Sequence, residues 1–188
     1  MLFLPVQNKP ELQFDFRNFV YEVPNALPLD VVDRLRLYVN TTDGLHRRGS
    51  KGSHYKADFE TCLLNDTMDE TYKLLDPLWK EYCELYNCQL SFIELYELKK
   101  YSRGDFFEPH TDSYHGNNSG LDRKINIIVQ LSDTEDYAGG DLMIGARHVP
   151  RKKGSAIFFP AFYTHYVTRI LTGVRYSLIG HAWGQTWR

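Results

Sequence analysis

The sequence predicts an α+β fold: a β-sandwich or jelly-roll core with N-terminal helices packed on one sheet. Two observations predict it. Apolar residues recur at helical spacing in two stretches of the first half and change to a period of two near Ser91. From there, many short alternating runs follow one another, separated by turn residues. A length of 188 residues makes one domain the expectation.

The elements follow in order. Phe14 to Val23 alternates loosely and holds a strand or two. Pro28, suited to a first helical turn, begins a helix running to about Asn40. Leu29, Val32, Leu35 and Val39 form its apolar stripe. Residues 41–57 are rich in Gly, Ser, Thr and basic groups and read as a long surface loop. Thr67-Met68-Asp69-Glu70 is a capping-box pattern. Tyr72, Leu75, Trp79, Tyr82 and Tyr86 then mark a second helix, which Pro77 is expected to kink or split.

Strands are expected at 91–101, 106–112, 123–132, 141–144, 147–149, 155–159, 165–170 and 174–183. In 123–132, Ile125, Ile127, Val129 and Leu131 share a face that should meet the core or the helices. Asn126, Ile128 and Gln130 share the other, a mixed face suited to lining a site.

Composition narrows the function classes. Hydrophobic content of 43% and charged content of 24% are ordinary for a soluble globule. A formal charge of −2 supplies no global field for nucleic acid. Cys62, Cys83 and Cys88 are odd in number and lack zinc-like spacing, which points to reduced thiols and a cytoplasmic location. The apolar start, Met1 to Val6, lacks a basic region and is short for a signal peptide. No apolar run approaches the ~18 residues of a membrane span, so no membrane partner is expected.

His110-Thr111-Asp112, followed by His165 and then Arg175, carries the chemistry. Two imidazoles and one carboxylate can hold one face of a non-haem Fe(II) ion and leave the opposite positions open. Residues two apart on a strand point the same way, so His110 and Asp112 can bind one metal, with His165 supplied by a strand distant in sequence. A hairpin turning near Leu171-Thr172-Gly173 would place Arg175 opposite Arg169, roughly 13 Å along the strand from His165. Ser177 shares the Arg175 face, and His181 and Trp183 share its parity as candidates for the pocket floor.

These motifs resemble the 2-oxoglutarate and Fe(II)-dependent dioxygenases, in particular their prolyl 4-hydroxylase-like branch. Tyr101 to Asp112 is similar to the tyrosine, glycine, aromatic and HxD segment of that branch. Gly139-Gly140-Asp141-Leu142 is similar to its strand-opening turn, and 153–160 with Thr164-His165-Tyr166-Val167 to its distal histidine segment. Gly173-Val174-Arg175-Tyr176-Ser177-Leu178 resembles its co-substrate segment. The resemblance covers residues 90–184. Animal and plant collagen-type enzymes often carry Lys where Arg175 stands, whereas Arg is usual in bacterial and phage-like relatives and in oxygen-sensing prolyl hydroxylases.

The resemblance implies a double-stranded β-helix (jelly-roll) core over 91–188, with 1–90 as helical support and lid region. It implies Fe(II) held by His110, Asp112 and His165, with 2-oxoglutarate and O2 as co-substrates and ascorbate as a supporting reductant. Arg175 would take the far carboxylate of 2-oxoglutarate bidentately. Ser177, Tyr101 and Asn126 are the further co-substrate contacts expected. The implied reaction decarboxylates 2-oxoglutarate to succinate and CO2 and hydroxylates a prolyl or related side chain in a protein or peptide. A free amino acid or small metabolite is the alternative substrate, and a catalytically silent binding module is the alternative from another class. Nucleic-acid demethylases of the superfamily typically place a second Arg six residues after the first; His181 stands there, so no nucleic-acid partner is expected.

The basic loop supplies the remaining candidates. Arg47, Arg48 and Tyr55 could grip a substrate chain as part of a mobile lid over 44–57, and His115 follows the metal-binding strand closely enough to meet substrate.

Overall fold

Alternate residues of a strand face opposite sides of a sheet, and the strand that alternates most strictly lies at the centre of this fold. The computed structural model describes residues 19–49, 56–64, 69–113 and 120–185. Tyr55, His115, the Thr67 capping site and most of the expected strand from Phe14 lie outside them.

Among the described residues there are two helices and fourteen strands. The first half holds β1 (Tyr21–Val23), α1 (Leu29–Thr41), β2 (His46–Arg48), β3 (Ala57–Leu63) and α2 (Asp69–Tyr86). Then come β4 (Phe92–Ile93), β5 (Glu97–Tyr101), β6 (Phe106–His110), β7 (Leu121–Gln130), β8 (Tyr137–Gly139) and β9 (Leu142–Ile144). The chain ends with β10 (Arg147–His148), β11 (Ala156–Pro160), β12 (His165–Val167), β13 (Ile170–Gly173) and β14 (Arg175–Gln185).

Every strand pairing among the described residues is antiparallel. A major sheet runs β1-β11-β7-β14-β5-β3, and a minor sheet continues β3-β6-β12-β9-β10. β3 joins them: Ala57 and Asp58 pair with β6, while Glu60 to Leu63 pair with β5. One continuous sheet is thus folded over on itself, the jelly-roll expected from the period change.

Parity then creates two cores. Ile125, Ile127 and Val129 of β7 face outward and pack with Val32, Leu35, Leu75, Trp79 and Tyr82 of the helices. Ile128 faces inward and packs with Phe59, Ile157, Phe159, Leu142, Ile144 and Val167 between the sheets. Trp79 fixes α2 to the major sheet by donating Nε1–H to the Tyr96 hydroxyl at 2.8 Å, with its ring edge-on to Phe158.

Several local expectations change in the tertiary setting. Leu29, placed in the α1 stripe, is 59% exposed, and Val31 is buried in its stead. Leu29 is the first helical residue, and the helix turns its next residues to the sheet. α2 runs without a break through Pro77. Residues 46–48, expected in a loop, form β2 on the edge of β3. All three side chains of β2 are exposed, so the segment carries no hydrophobic period to read. The 91–101 run divides into β4 and β5, and 165–170 divides between β12 and β13.

The hairpin expected near Gly173 does not form. β13 pairs with β8, whereas β14 crosses to the major sheet between β5 and β7. Gly173 makes this crossing, with φ 76° and its Cα against the Asp136 carbonyl. A Cβ there would stand 2.1 Å from the Asp136 oxygen and 2.8 Å from Tyr137 Cα, both backbone atoms that cannot swing away. Gly173→Ala is therefore expected to destabilise the protein by about 1–3 kcal/mol or more, read as a lower denaturation midpoint at unchanged slope.

Candidate metal centre and active site

The minor sheet brings the two histidines together. His110 ends β6, His165 begins β12, and the two are direct pairing partners. Asp112 lies two residues beyond His110, where its backbone N–H donates to the Ala161 carbonyl at 2.9 Å. Both rings are buried, His110 stacked on Phe107 and His165 edge-on to Phe159.

Each ring is held in one tautomer. His110 Nδ1 lies 2.8 Å from the Glu108 carbonyl, and His165 Nδ1 lies 3.1 Å from the Tyr163 carbonyl. A carbonyl only accepts, so both Nδ1 atoms carry the proton and each Nε2 presents a lone pair. Those lone pairs converge on the carboxylate: His110 Nε2 is 3.7 Å from Asp112 Oδ1, and His165 Nε2 is 3.2 Å from Asp112 Oδ2. All three ligand atoms lie within 4.8 Å of one another. The set fits a divalent cation on chemical grounds: two neutral nitrogen donors and one anionic oxygen, with second-layer bonds fixing the rings.

Electrostatics keep His110 and Asp112 ready as donors at neutral pH. Burial, reinforced by His165, pushes the His110 imidazole down to about 4. Burial does the same to His181, also to about 4. Burial would raise the Asp112 carboxyl, but His165, His181 and His110 around it hold it well below the usual carboxylate range.

Asn126 stands behind Asp112. Its Nδ2 donates to Asp112 Oδ2 at 2.8 Å, and its Oδ1 accepts from His181 Nδ1 at 2.9 Å. Asn126→Ala removes the donor that orients the carboxylate and leaves a buried imidazole N–H without its acceptor. Divalent-metal affinity is expected to fall roughly 10–100-fold, measured by titration calorimetry with Mn(II).

Arg175 lies on the major sheet facing the same pocket and is only 1% exposed. It donates to Ser177 Oγ and to Gln130 Oε1, both at 3.2 Å, and its guanidinium sits 5.3 Å from the Tyr101 ring centre. Its Nε and the Gln130 Nε2 have no partner. Among the described residues, no carboxylate pairs with Arg175. A buried guanidinium is costly without a counter-charge, so the site fits an anion of the size and charge of a carboxylate. Burial pushes the Tyr101 phenol up, against the pull of Arg175, so it remains a hydrogen-bond donor.

Lys99, Tyr101, Phe107, Ile128, Leu142, Val167, Ile179 and His181 complete the pocket around the three ligands and Arg175. Lys99 in the pocket wall and Gln130 behind Arg175 are the polar residues that sequence reasoning did not assign. Gln130 was on the mixed face of its strand, and Lys99 shares the parity of Tyr101, so strand alternation held the signal for both.

Other candidates lie elsewhere. Trp183 donates Nε1–H to Glu94 and stacks on Phe92 outside the pocket, past an irregularity in the β14–β7 pairing. Arg47 pairs with Asp58 at 2.9 Å and with the buried Asp105, and Arg48 is exposed on the same edge strand. Asp105 also accepts from Ser102 N–H, so Arg47 serves the β5–β6 turn in this structure.

Residues 96–183 match the family model of the 2OG-Fe(II) oxygenase superfamily. This stretch is similar to that superfamily. The HxD motif, the distal histidine and Arg175 all fall within it. Among curated proteins, a PKHD-type hydroxylase of Caulobacter sp. (strain K31) is 42% identical over 55 residues, covering 27% of this chain and 24% of that protein. The PKHD-type hydroxylase PiuC of Pseudomonas aeruginosa is 29% identical over 85 residues, covering 41% and 38%. The chain thus spans well under half the length of these relatives.

Solved prolyl hydroxylase structures share the fold over most of their length. The viral collagen prolyl hydroxylase of Paramecium Bursaria Chlorella virus-1, in its 2OG complex, matches with a TM-score of 0.71 at 14% identity, covering 88% of this chain and 96% of that one. A Pseudomonas putida prolyl-4-hydroxylase matches at 0.69 and 17% identity, covering 87% and 91%. A Trichoplax adhaerens prolyl hydroxylase, solved with a hypoxia inducible factor peptide fragment, matches at 0.67 and 14% identity, covering 88% and 83%. Among the described residues, no helix is long and apolar enough to cross a membrane.

Proposed function

We propose that the protein is a 2-oxoglutarate- and Fe(II)-dependent dioxygenase that hydroxylates a prolyl or related side chain in a protein or peptide. The observation that carries this reading is a single pocket holding both a His-Asp-His donor set and a buried guanidinium that has no counter-anion among the described residues.

His110 Nε2, an Asp112 carboxylate oxygen and His165 Nε2 would hold the iron. The Arg175 fork would hold the far carboxylate of 2-oxoglutarate, with Ser177 and Tyr101 as further donors. Bound Fe(II) with O2 supplies the oxidative decarboxylation of 2-oxoglutarate to succinate and CO2 and the oxidising power for C–H hydroxylation. The chain supplies the setting. Asn126 orients the Asp112 carboxylate, the two Nδ1–H bonds aim the imidazoles, and Ile128, Leu142, Val167 and Ile179 exclude water. The prolyl hydroxylases among the structural neighbours, one with a bound peptide, support a peptidyl substrate.

A second reading, hydroxylation of a free amino acid or small metabolite, has its own support. Lys99 lines the pocket and is 7% exposed, and its ion pair with the partly buried Glu97 at 3.5 Å sets a second charge sign behind that wall, a pairing that a zwitterion could share. The deciding experiment supplies Fe(II), 2-oxoglutarate and O2, with and without ascorbate, to proline-rich peptides, intact proteins and free amino acids. Mass spectrometry then looks for one added oxygen. Absence of both oxygen transfer and substrate-free 2-oxoglutarate turnover would leave the catalytically silent binding module.

The basic segment gives a test of substrate size. Arg47 and Arg48 lie on the edge strand that leads into residues 50–55. Deleting 50–55 is expected to impair peptide hydroxylation much more than uncoupled 2-oxoglutarate decarboxylation, because the metal ligands and Arg175 lie on other strands. Equal losses would make the segment a support of the fold. No loss in either rate would favour the small-metabolite reading.

A further inference from the structure

Two of the three cysteines meet at the end of α2, on the opposite side of the major sheet from the metal ligands. Cys83 lies in the last turn of the helix, and Asn87 adopts a left-handed conformation with φ 50°. The Cys88 N–H then donates back to the Cys83 carbonyl at 3.0 Å. This six-to-one bond is a Schellman closure, which brings the side chains on either side of the left-handed residue into contact. Here both side chains are thiols. Both are partly exposed, and both line one cavity of about 440 Å3 with Trp79, Leu90 and Phe92.

We propose that Cys83 and Cys88 are a thiol–disulfide exchange site, open to low-molecular-weight disulfides of the glutathione class. The six-to-one closure draws the two residues together across the helix end, as a disulfide, which bridges α-carbons roughly 4.4–6.8 Å apart, requires. A ring of so few residues closes with little loss of chain freedom.

The thiols are also unequal. The contact between the two thiols pushes the Cys83 thiol up and the Cys88 thiol down, the latter helped by Lys124. Cys88 is therefore the attacking thiolate. Its sulfur bonds to one sulfur of the small disulfide, breaks that S–S bond and releases one small thiolate. Cys83, losing its proton, then bonds to the Cys88 sulfur and releases the second small thiolate. The two protons given up by the cysteines end on the two small thiols. The protein pair is oxidised by two electrons and the small disulfide is reduced by two. Cys62 takes no part: it is 2% exposed, and burial pushes its thiol up to about 11.

The test equilibrates the full chain in buffers of increasing glutathione disulfide to glutathione ratio, blocks remaining thiols with iodoacetamide after unfolding, and maps them by mass spectrometry. The expected result is joint loss of two alkylatable thiols, Cys83 and Cys88, at one midpoint, reversed by dithiothreitol, with Cys62 still alkylated. Cys83→Ser should instead accumulate a stable glutathione adduct on Cys88. Retention of both thiols at every ratio would overturn the proposal. So would a lasting adduct on wild-type Cys88, or a link through Cys62 or between chains. None of these readouts uses iron or 2-oxoglutarate, so the outcome is separate from that of the proposed activity.

Discussion

Asp112→Ala is expected to abolish stoichiometric Fe(II) binding and all 2-oxoglutarate turnover. Asp112 is the only anionic donor in the set, and its two oxygens face both Nε2 atoms. Its removal leaves two neutral imidazoles, and the Asn126 amide that oriented the carboxylate loses its acceptor. His110→Ala and His165→Ala should act in the same direction, since three donors are the minimum that fixes one face of the ion. Metal content after anaerobic loading, measured by plasma emission and paired with succinate formation, checks this. Circular dichroism keeps the result apart from unfolding. Full iron occupancy in the Asp112→Ala, His165→Ala double variant would sink the assignment. Mn, Ni, Zn or Co should be able to replace iron in binding, because donor type admits several divalent ions.

Arg175→Ala is expected to weaken 2-oxoglutarate binding by about 2–5 kcal/mol, roughly 30-fold to several thousand-fold, as when a buried charge loses its partner. The magnitude follows from burial. Among the described residues, Arg175 has two neutral hydrogen-bond partners, an unused Nε–H and no carboxylate. An anion entering the pocket therefore meets a positive charge that is almost fully desolvated. Arg175→Lys should be milder, since a charge remains while the planar fork is lost. Without ligand the two variants should differ little in iron binding, because the hydrogen bonds of Arg175 run to Ser177 and Gln130 rather than to the metal-ligand set. Calorimetric titration of 2-oxoglutarate into the Mn(II)-loaded protein separates these outcomes, and unchanged affinity in Arg175→Ala would assign the carboxylate to another residue.

Much of this arrangement was legible because it depends on local period. The alternation of 121–130 placed Ile125, Ile127 and Val129 under the helices and Asn126, Ile128 and Gln130 on the pocket side. A pleated strand enforces that division whatever its neighbours are. The same rule put His110 and Asp112 on one side, and Arg175 with Ser177.

Edges and crossings were not legible. β2 has no buried face, so its backbone pairing with β3 leaves no mark on residue order. The 171–173 turn reads as a hairpin because Gly173 and two short strands are compatible with one. β8 takes the β13 edge, and the close approach of Gly173 to Asp136 sends β14 across to the major sheet. Trp183 has the parity of His181 yet belongs to Phe92 and Glu94. The sequence by itself determined which side chains face inward and which donor types are available, because pleat and chemistry are properties of each segment. Only the tertiary structure decided which inward faces meet, because strand partners are chosen by competition among edges far apart in the chain. That competition set His165 beside His110, seated Arg175 between Tyr101 and Gln130, and drew Arg47 to Asp105.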